Sequence, residues 1–520
     1  MGLEEHVSPS TGPDHHDDQQ SQPETDTINS AEAPYSVFSK RKRVFIIIMT
    51  TLCAIISPLS ANIYFPALNV LSAELHVSSS LINVSLTTFM IFQGLAPVFL
   101  GDLADTAGRR PAYIIGFVFY IGACIGLALQ TSFPALLILR CLQACGSSST
   151  IALASGVAAD VSTSQERGTY MGWVNGGALL GPSIGPVLGG VLAQFLGWRS
   201  IFWFLAILAG VILIPLVLVF PETGRNVVGN GSIPPQRWNR DLLTVIRDRG
   251  KNKSQDTERQ PSLRQLRFPN PLSTLRILKE KDVGLLLLFN CLVYCAFYSV
   301  TTSLPFLFAE IYNFNALQIG LSFIPYGVGS LLAAVLNGHM LDWRFRQVAN
   351  SLGIKIVKDK TIDLRYFPLE RVRFPLALVL ILIGNTALLC YGWVLHVQAP
   401  LAVPLVLLFF IGYFITGSFN CCSVALIDYY PNSPATVTAC NNLCRCLLGA
   451  GNTAVIILMI NSMGRGWCFT FIALVIYATT PILWVLMRWG PAWREERAQK
   501  IDAKNIIQAE NSDESKEKAG

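Results

Sequence analysis

Charged residues are scarce in this sequence. Asp, Glu, Lys and Arg make up 14% of the 520 residues, whereas hydrophobic residues make up 52% and the mean hydropathy is +0.46. A soluble protein carries roughly a quarter charged residues. The apolar residues also come in runs of about 20, the length that crosses the hydrocarbon core of a bilayer. Because a chain in lipid must satisfy its own backbone hydrogen bonds, runs this long predict helices. The composition therefore excludes a soluble globular protein and predicts an all-α membrane protein.

Several functional motifs are also missing. Neither a Walker A pattern nor a TVGYG-type filter occurs, which argues against an ATP-driven pump and a potassium-type channel. The six histidines show no metal-ligand spacing, and no nucleophile motif indicates an enzyme. The 13 cysteines all lie within apolar runs, so we expect packing residues and no disulfide framework. The first 39 residues contain no apolar stretch, so we expect no cleavable signal peptide. We expect neither enzymatic activity nor a cofactor.

Twelve apolar runs are separated by short polar loops and one long polar stretch. Six runs precede and six follow the stretch 221–281, which is rich in Lys and Arg. This layout predicts twelve transmembrane helices in two pseudo-symmetric six-helix halves, an arrangement found in secondary transporters. The runs cover 44–66, 80–100, 112–130, 134–158, 170–196, 200–220, 283–309, 318–340, 375–396, 402–426, 436–461 and 467–488.

Basic residues are distributed asymmetrically among the loops. The loops at 69–79, 310–317 and 397–401 contain no Lys or Arg, whereas those at 101–111, 221–281 and 341–373 are rich in them. The positive-inside rule then predicts cytoplasmic termini, and the net charge of +6 needs no nucleic-acid partner. Arg199 and Arg465 are exceptions at equivalent places, just before the sixth and twelfth runs, which is a trace of an internal repeat. The predicted regions are a disordered cytoplasmic tail 1–43, a six-helix half 44–220, a cytoplasmic central loop 221–281, a second six-helix half 282–490 and a cytoplasmic tail 491–520.

The loop between the second and third runs reads GDLADTAGRRP, residues 101–111. Its glycines permit a sharp turn, and Asp105 can pair with Arg109 or Arg110 or reach a helix N-terminus. The stretch resembles the loop signature of the major facilitator superfamily, although Thr106 stands where arginine is common. The resemblance implies that Asp102, Asp105, Arg109 and Arg110 gate the cytoplasmic side. A degenerate copy in the second half, GHMLDWRFR, implies the same for Asp342 and Arg346.

Polar side chains lie inside several runs. Arg140 in the fourth run and Arg445 in the eleventh are deep charges, which are costly in lipid and usually functional. Asn441 is one helical turn from Arg445 and shares its face. No Asp or Glu lies in the middle of a run, so the deep charges favour an anionic or neutral polar substrate. The other predicted substrate contacts are Asn62, Tyr64, Asn290, Tyr298 and Asn420.

The fifth run contains GALLGPSIGPVLGG, with glycines every fourth residue on one helix face. Small residues at this spacing allow close helix approach, and the prolines are expected to bend the helix. The pattern resembles an element typical of antiporters in the superfamily, which implies a coupling role for Gly181, Pro182 and Gly185.

Segments such as FPETGRNVVGNGSIPP at 220–235 resemble the fungal drug:proton antiporter branch with twelve spans, close to its quinidine- and multidrug-resistance subgroup. That resemblance implies a plasma-membrane exporter, in which protons moving inward drive an organic acid, secondary metabolite or drug outward. Asp102 or Asp160 could handle the proton. We expect a monomer whose partners are a small-molecule substrate, protons and membrane lipid. Broad efflux of cationic drugs, uptake of a nutrient and a transporter-like sensor remain alternatives.

Overall fold

The structure, a computed structural model, describes residues 36–162, 164–236, 239–243, 246, 276–353, 368–430 and 434–517. The predicted N-terminal tail up to residue 35 and much of the central loop lie outside this part. For Asp102, Asp105 and Asp342 the backbone is described and the side chain is not.

The described residues form helices and no β-strand. Twelve spans follow one another along the chain. Spans 1 to 6 are Lys40–Asn62, Ser79–Thr106, Arg109–Leu129, Phe133–Ser148 continued by Thr150–Val161, Ser164–Leu196 and Arg199–Leu218. Spans 7 to 12 are Lys281–Tyr312, Ala316–Ser322 continued by Ile324–Ser351, Leu369–His396, Ala402–Asp428, Pro434–Met463, and Arg465–Thr479 continued by Pro481–Glu517. A short helix Arg225–Val228 follows span 6.

Length and composition allow these helices to cross a membrane. Eleven candidate spans meet both criteria within the described residues, and Leu180–Leu196 of span 5 adds a shorter apolar stretch. The prediction of an all-α protein with twelve spans in two halves is confirmed. Several helices extend beyond the predicted runs, spans 1 and 12 among them. Span 1 continues through a 3-10 turn at Phe65–Ala67 into a short helix, Leu68–Glu74, because Leu68 and Leu71 are buried. Span 12 continues to Glu517.

The two halves repeat the same ion pair at the face remote from the chain termini, called here the far face. Arg199, which begins span 6, pairs with Glu74 at 2.5 Å, and Arg465, which begins span 12, pairs with Glu310 at 2.7 Å. Each arginine therefore ties the start of the sixth helix of its half to the end of the first. Each also donates to the backbone at the end of the third helix of its half. The accepting carbonyls belong to Gln130 and Leu395, both at 3.4 Å.

A second pair repeats at the opposite face, where span 1 begins and span 12 ends, called here the terminus face. Arg109 Nε lies 3.0 Å from Asp160 Oδ2, and Arg373 Nε lies 3.0 Å from Asp428 Oδ2. In both halves the pair joins the start of the third helix to the end of the fourth. The internal repeat that Arg199 and Arg465 indicated in the sequence is thus present in the contacts.

The halves contact each other from the far face to the middle of the spans. Asn69 Nδ2 donates to the carbonyl of Pro305 at 2.7 Å, and the rings of Phe65 and Phe323 stack at 5.9 Å. Near mid-span, Asn442 Nδ2 donates to the carbonyl of Gln93 at 3.3 Å. A cleft of about 660 Å³ lies at the far face between the halves. Its polar lining consists of Asn69, Glu74, Gln194 and Asn315.

Candidate substrate site

Arg140 lies in the first segment of span 4 and is completely buried. Its Nη1 donates to Gln143 Oε1 at 2.6 Å, one helical turn along the same span. Its guanidinium carbon lies 4.3 Å from the ring centroids of both Tyr64 and Phe89. Nε and Nη2 have no hydrogen-bond partner among the described residues. The aromatic rings therefore hold the guanidinium, while its Nε–Nη2 edge, called here the open edge, has no described hydrogen-bond partner.

The open edge has a defined chemistry. Nε and Nη2 lie on the same side of a guanidinium and present two parallel N–H groups, the geometry that binds both oxygens of a carboxylate. An unpaired charge with unused donors is costly in a buried site. An anion seated on this edge of Arg140 would relieve that cost.

Arg445 provides the second deep charge, in span 11. Its Nε and Nη2 donate to Asn442 Oδ1 at 3.2 and 2.8 Å, so its own helix occupies the edge that is open in Arg140. The guanidinium carbon lies 4.9 Å from the ring of Tyr294 and 5.9 Å from that of Phe419. Arg445 is half-buried, so its charge remains accessible.

A group of amides connects spans 7, 10 and 11 beside Arg445. Asn290 Nδ2 donates to Asn441 Oδ1 at 3.0 Å and to Ser423 Oγ at 3.2 Å. Asn290 is fully buried and its Oδ1 has no partner among the described residues. The predicted residues Asn290 and Asn441 thus lie in contact, whereas Arg445 bonds to Asn442 rather than to Asn441.

The other predicted residues are distributed as follows. Tyr64 contacts the Arg140 guanidinium and its hydroxyl lies 3.0 Å from Ser85 Oγ. Asn62 donates within its own helix, to the carbonyl of Pro58 at 2.7 Å. Asn420 is half-buried in span 10.

Tyr298 links the two arginines. Its ring centroid lies 4.8 Å from that of Tyr294, the residue beneath Arg445. Its ring centroid also lies 6.5 Å from that of Phe65, the neighbour of Tyr64, whose ring covers the Arg140 guanidinium. The fold therefore brings together predicted residues from spans 1, 4, 7 and 11.

Acidic side chains are found at the ends of the spans, away from these arginines. Six of them, within the described part of the chain, form an ion pair with an arginine. They are Glu74, Asp160, Asp282, Glu310, Glu370 and Asp428. Neither Arg140 nor Arg445 forms an ion pair with an acid in the described part of the chain, so no described carboxylate neutralises these two deep charges.

At the terminus face, span 3 begins after Gly108, whose φ of +112° is readily adopted only by glycine. Glu222 lies in the segment after span 6 and accepts the backbone N–H groups of Arg109 at 2.8 Å and Arg110 at 3.2 Å. It also accepts the N–H groups of the two residues that follow it. Burial raises the pKa of Glu222 above its ordinary value, and these four donors act in the opposite direction. The carboxyl that caps span 3 therefore comes from a distant part of the chain.

The predicted gating residues occupy different environments. Arg109 pairs with Asp160, and Arg110 Nη2 donates to the carbonyl of Val217 at 2.8 Å. Arg346 is exposed. The predicted partner of the two loop arginines, Asp105, has its side chain outside the described part of the structure, as do Asp102 and Asp342.

Comparison with known proteins identifies the family. A model of the Major Facilitator Superfamily matches residues 50–451. The chain belongs to this superfamily. The resemblance inferred from the loop motif is confirmed, and the chain is a multi-pass membrane transporter rather than an enzyme.

Relatives within the superfamily are fungal transporters. The MFS-type transporter phiD of a fungal species is 44% identical over 471 residues, which cover 90% of this chain and 72% of that protein. Citrate exporter 1 of Aspergillus niger is 37% identical over 496 residues and 93% of each chain. Among solved structures, the xylose transporter XylE from E. coli superposes with a TM-score of 0.60 at 15% identity, covering 85% of this chain and 97% of that one. The last likeness shows the major facilitator fold.

The glycine stripe of span 5 packs against span 1 in this fold. A Cβ atom at Gly181 would lie 2.6 Å from Leu59 N and Pro58 Cβ, and one at Gly185 would lie 3.1 Å from Ile63 N. Pro182 is half-buried beside them. The predicted close approach of two helices is present, and the backbones leave no room for a side chain at Gly181.

Two buried ion pairs were missed by sequence reasoning. Arg494 lies 3.6 Å from Glu370, and Arg497 lies 3.0 Å from Asp282. They join the extension of span 12 to spans 9 and 7, although this part of the sequence is charged and predicted as a tail. A signal was available in the arginine spacing, since residues three apart share a helix face.

Proposed function

We propose that the protein is a proton-coupled exporter of a small organic anion at the plasma membrane, working by alternating access. The observation that carries this proposal is the open edge of Arg140, fully buried and without a described acid as partner. A transporter of organic cations would instead need a carboxylate at this depth to stabilise its substrate.

Electrostatics supports an anionic substrate over a cationic one. Two positive charges at membrane depth repel a cation strongly, because charge interactions are weakly screened where water is scarce. Arg140 contributes from the first half and Arg445 from the second. An anion bound to both would pull the halves toward each other.

Alternating access is supported by where the contacts between and within the halves lie. The bonds between the halves reach from Asn69 and Pro305 at the far face to Asn442 and Gln93 near mid-span. At the terminus face the described ion pairs join helices of the same half. With the terminus face in the cytoplasm, as the positive-inside rule predicts, the contacts between the halves at the far face would be the ones that break when the transporter opens outward.

The proton would be carried at the terminus face, because the described carboxylates lie at the ends of spans. Asp160 is the candidate on span 4, the helix that also holds Arg140. Protonation of Asp160 would weaken its bond to Arg109, which joins the end of span 4 to the start of span 3. That coupling gives the proton gradient a mechanical effect on the first half. The citrate exporter among the relatives supports organic-anion export as the direction and class of transport.

The proposal is tested by disrupting the gene in its host and measuring secreted and intracellular metabolites together with growth on toxic cations and weak acids. We expect one acidic product to disappear from the medium and accumulate inside, with growth on cationic drugs unchanged. Broad hypersensitivity to cations with an unchanged acid profile would instead establish the multidrug alternative. Reversed flux of a nutrient would establish an uptake permease.

A further inference from the structure

We propose that the exported anion joins a carboxylate head to a flat apolar body, and that aromatic rings of the second half bind this body. The inference rests on the proposed function and narrows its substrate class. It separates this protein from a transporter for small polycarboxylates, the class to which citrate belongs.

The second half provides a continuous surface of rings, called here the aromatic wall and made of Tyr294, Phe297, Tyr298, Tyr326 and Phe419. Ring centroids lie 4.8 Å apart for Tyr294 and Tyr298, and 5.6 Å apart for Tyr294 and Phe419. Phe297 lies 5.3 Å from both Tyr298 and Tyr326. Phe297 and Phe419 are half-buried, so part of each ring is left uncovered by the described residues.

The aromatic wall continues to the first half, where Arg140 lies. Phe65 follows Tyr64 directly in the chain, and its ring centroid lies 6.5 Å from that of Tyr298. The Tyr64 ring in turn covers the Arg140 guanidinium. A ligand whose carboxylate occupies the open edge of Arg140 would therefore have aromatic rings as neighbours on the side toward the second half.

The unpaired donors of the two arginines limit how many carboxylates the substrate can carry. Nε and Nη2 of Arg140 suit one carboxylate, whereas the same two atoms of Arg445 are bonded to Asn442. A trivalent anion such as citrate would leave carboxylates facing rings, and desolvating an unpaired carboxylate is very costly. Apart from those of Arg140, the unpartnered buried polar atoms that the described residues place beside the wall are neutral. They include Tyr326 Oη and Asn290 Oδ1.

The test measures dissociation constants of the purified full chain in detergent by titration calorimetry, with propionate, 3-phenylpropionate and citrate as probes. Propionate and 3-phenylpropionate each carry a single carboxylate and differ by a phenyl ring. Burial of the ring predicts that 3-phenylpropionate binds at least about tenfold more tightly than propionate, and more tightly than citrate. Equal affinity for propionate and 3-phenylpropionate, or tightest binding of citrate, would overturn the inference while leaving anion transport intact.

A matched pair of variants tests whether the aromatic wall causes the tighter binding of the probe that carries a ring. Phe419→Leu keeps an apolar side chain but removes a ring of the wall, and we expect the preference for 3-phenylpropionate over propionate to fall to about threefold or less. Phe410→Leu is the control, because Phe410 lies nine residues earlier, on the opposite side of span 10, and is 41% exposed. An unchanged preference in Phe419→Leu would refute the role of the wall. If no anion binds to the wild type but tetraphenylphosphonium does, the proposed function itself fails.

Discussion

The contact between spans 1 and 5 predicts a graded series of glycine-to-alanine variants. A Cβ at Gly176 would meet nothing within 4 Å. At Gly185 the nearest atom would be Ile63 N at 3.1 Å, and at Gly181 it would be Leu59 N at 2.6 Å. A Cβ at Gly189 would overlap the carbonyl oxygen of Ile63. The four positions lie on one helix and differ in the space that they offer.

The expected changes in the free energy of unfolding follow from two opposing effects, helix propensity and overpacking. Alanine stabilises a helix by about 1 kcal/mol relative to glycine, so Gly176→Ala should be neutral or stabilising. At Gly185 the neighbouring backbone of span 1 must shift slightly to admit the Cβ, and the cost of this shift offsets most of the gain. At Gly181 the contact is about 1 Å shorter than ordinary van der Waals separation, and overpacking costs about 1–3 kcal/mol. Gly189→Ala should be the least stable, because the obstructing atom belongs to the backbone of span 1.

The assay is thermal unfolding of the purified full chain in detergent. The apparent Tm should fall in the order Gly176→Ala, Gly185→Ala, Gly181→Ala, Gly189→Ala. Gly176→Ala serves as the control for helix propensity. If Gly181→Ala and Gly189→Ala melt with Gly176→Ala, spans 1 and 5 are not packed as the structure has them.

Three further predictions concern the ends of the spans. Burial raises the pKa of Glu222, so the stability linked to its proton is present below the unfolded pKa and is lost as pH rises through the folded pKa. Glu222→Gln cannot titrate, so its Tm should fall less than that of the wild type between about pH 5 and about pH 7. A pH profile of Tm equal to that of the wild type would refute this. Arg494→Gln removes the ion-pair partner of the fully buried Glu370 and should lower the free energy of unfolding by about 3–5 kcal/mol. The double variant with Glu370→Gln should recover much of the lost Tm. Additive losses of Tm in the double variant would contradict the pairing. Asn69→Ala removes the bond to the Pro305 carbonyl at the far face. It should raise labelling by a membrane-impermeant maleimide of a cysteine placed at Ala316, which lines the far-face cleft and is buried. Labelling equal to that of the parent cysteine variant would show that this bond does not hold the halves together at the far face.

The spans could be predicted because lipid imposes long apolar runs, so their signal is local. Arg140 could be predicted as functional for the same reason, since a charge within such a run is costly in lipid and usually functional. The open edge of Arg140 could not be predicted. It depends on which guanidinium nitrogen donates to Gln143 and on the positions of the Tyr64 and Phe89 rings, which come from two other helices.

The partners of the terminus-face arginines could not be predicted from the sequence for a related reason. Arg109 and Asp160 are 51 residues apart, and Glu222 lies 113 residues after the N–H that it accepts from Arg109. Such pairs are set by how helices pack, and several acids near Arg109 satisfied the local pattern equally well. Glu222 did leave a signal, as an acid directly after an apolar run.

The most direct test of anion export is efflux from proteoliposomes that contain the purified full chain and an imposed pH gradient. The substrate is the acid that accumulates in the disrupted host, supplied in labelled form. Wild type should transport it only with the gradient, Arg140→Gln should lose transport, and Arg140→Lys, which keeps the charge but not the two-pronged edge, should recover a minor part. Arg488→Gln is the control, because Arg488 also lies near tryptophan rings but is exposed on span 12. Full transport by Arg140→Gln at equal protein level would contradict the central role of this arginine.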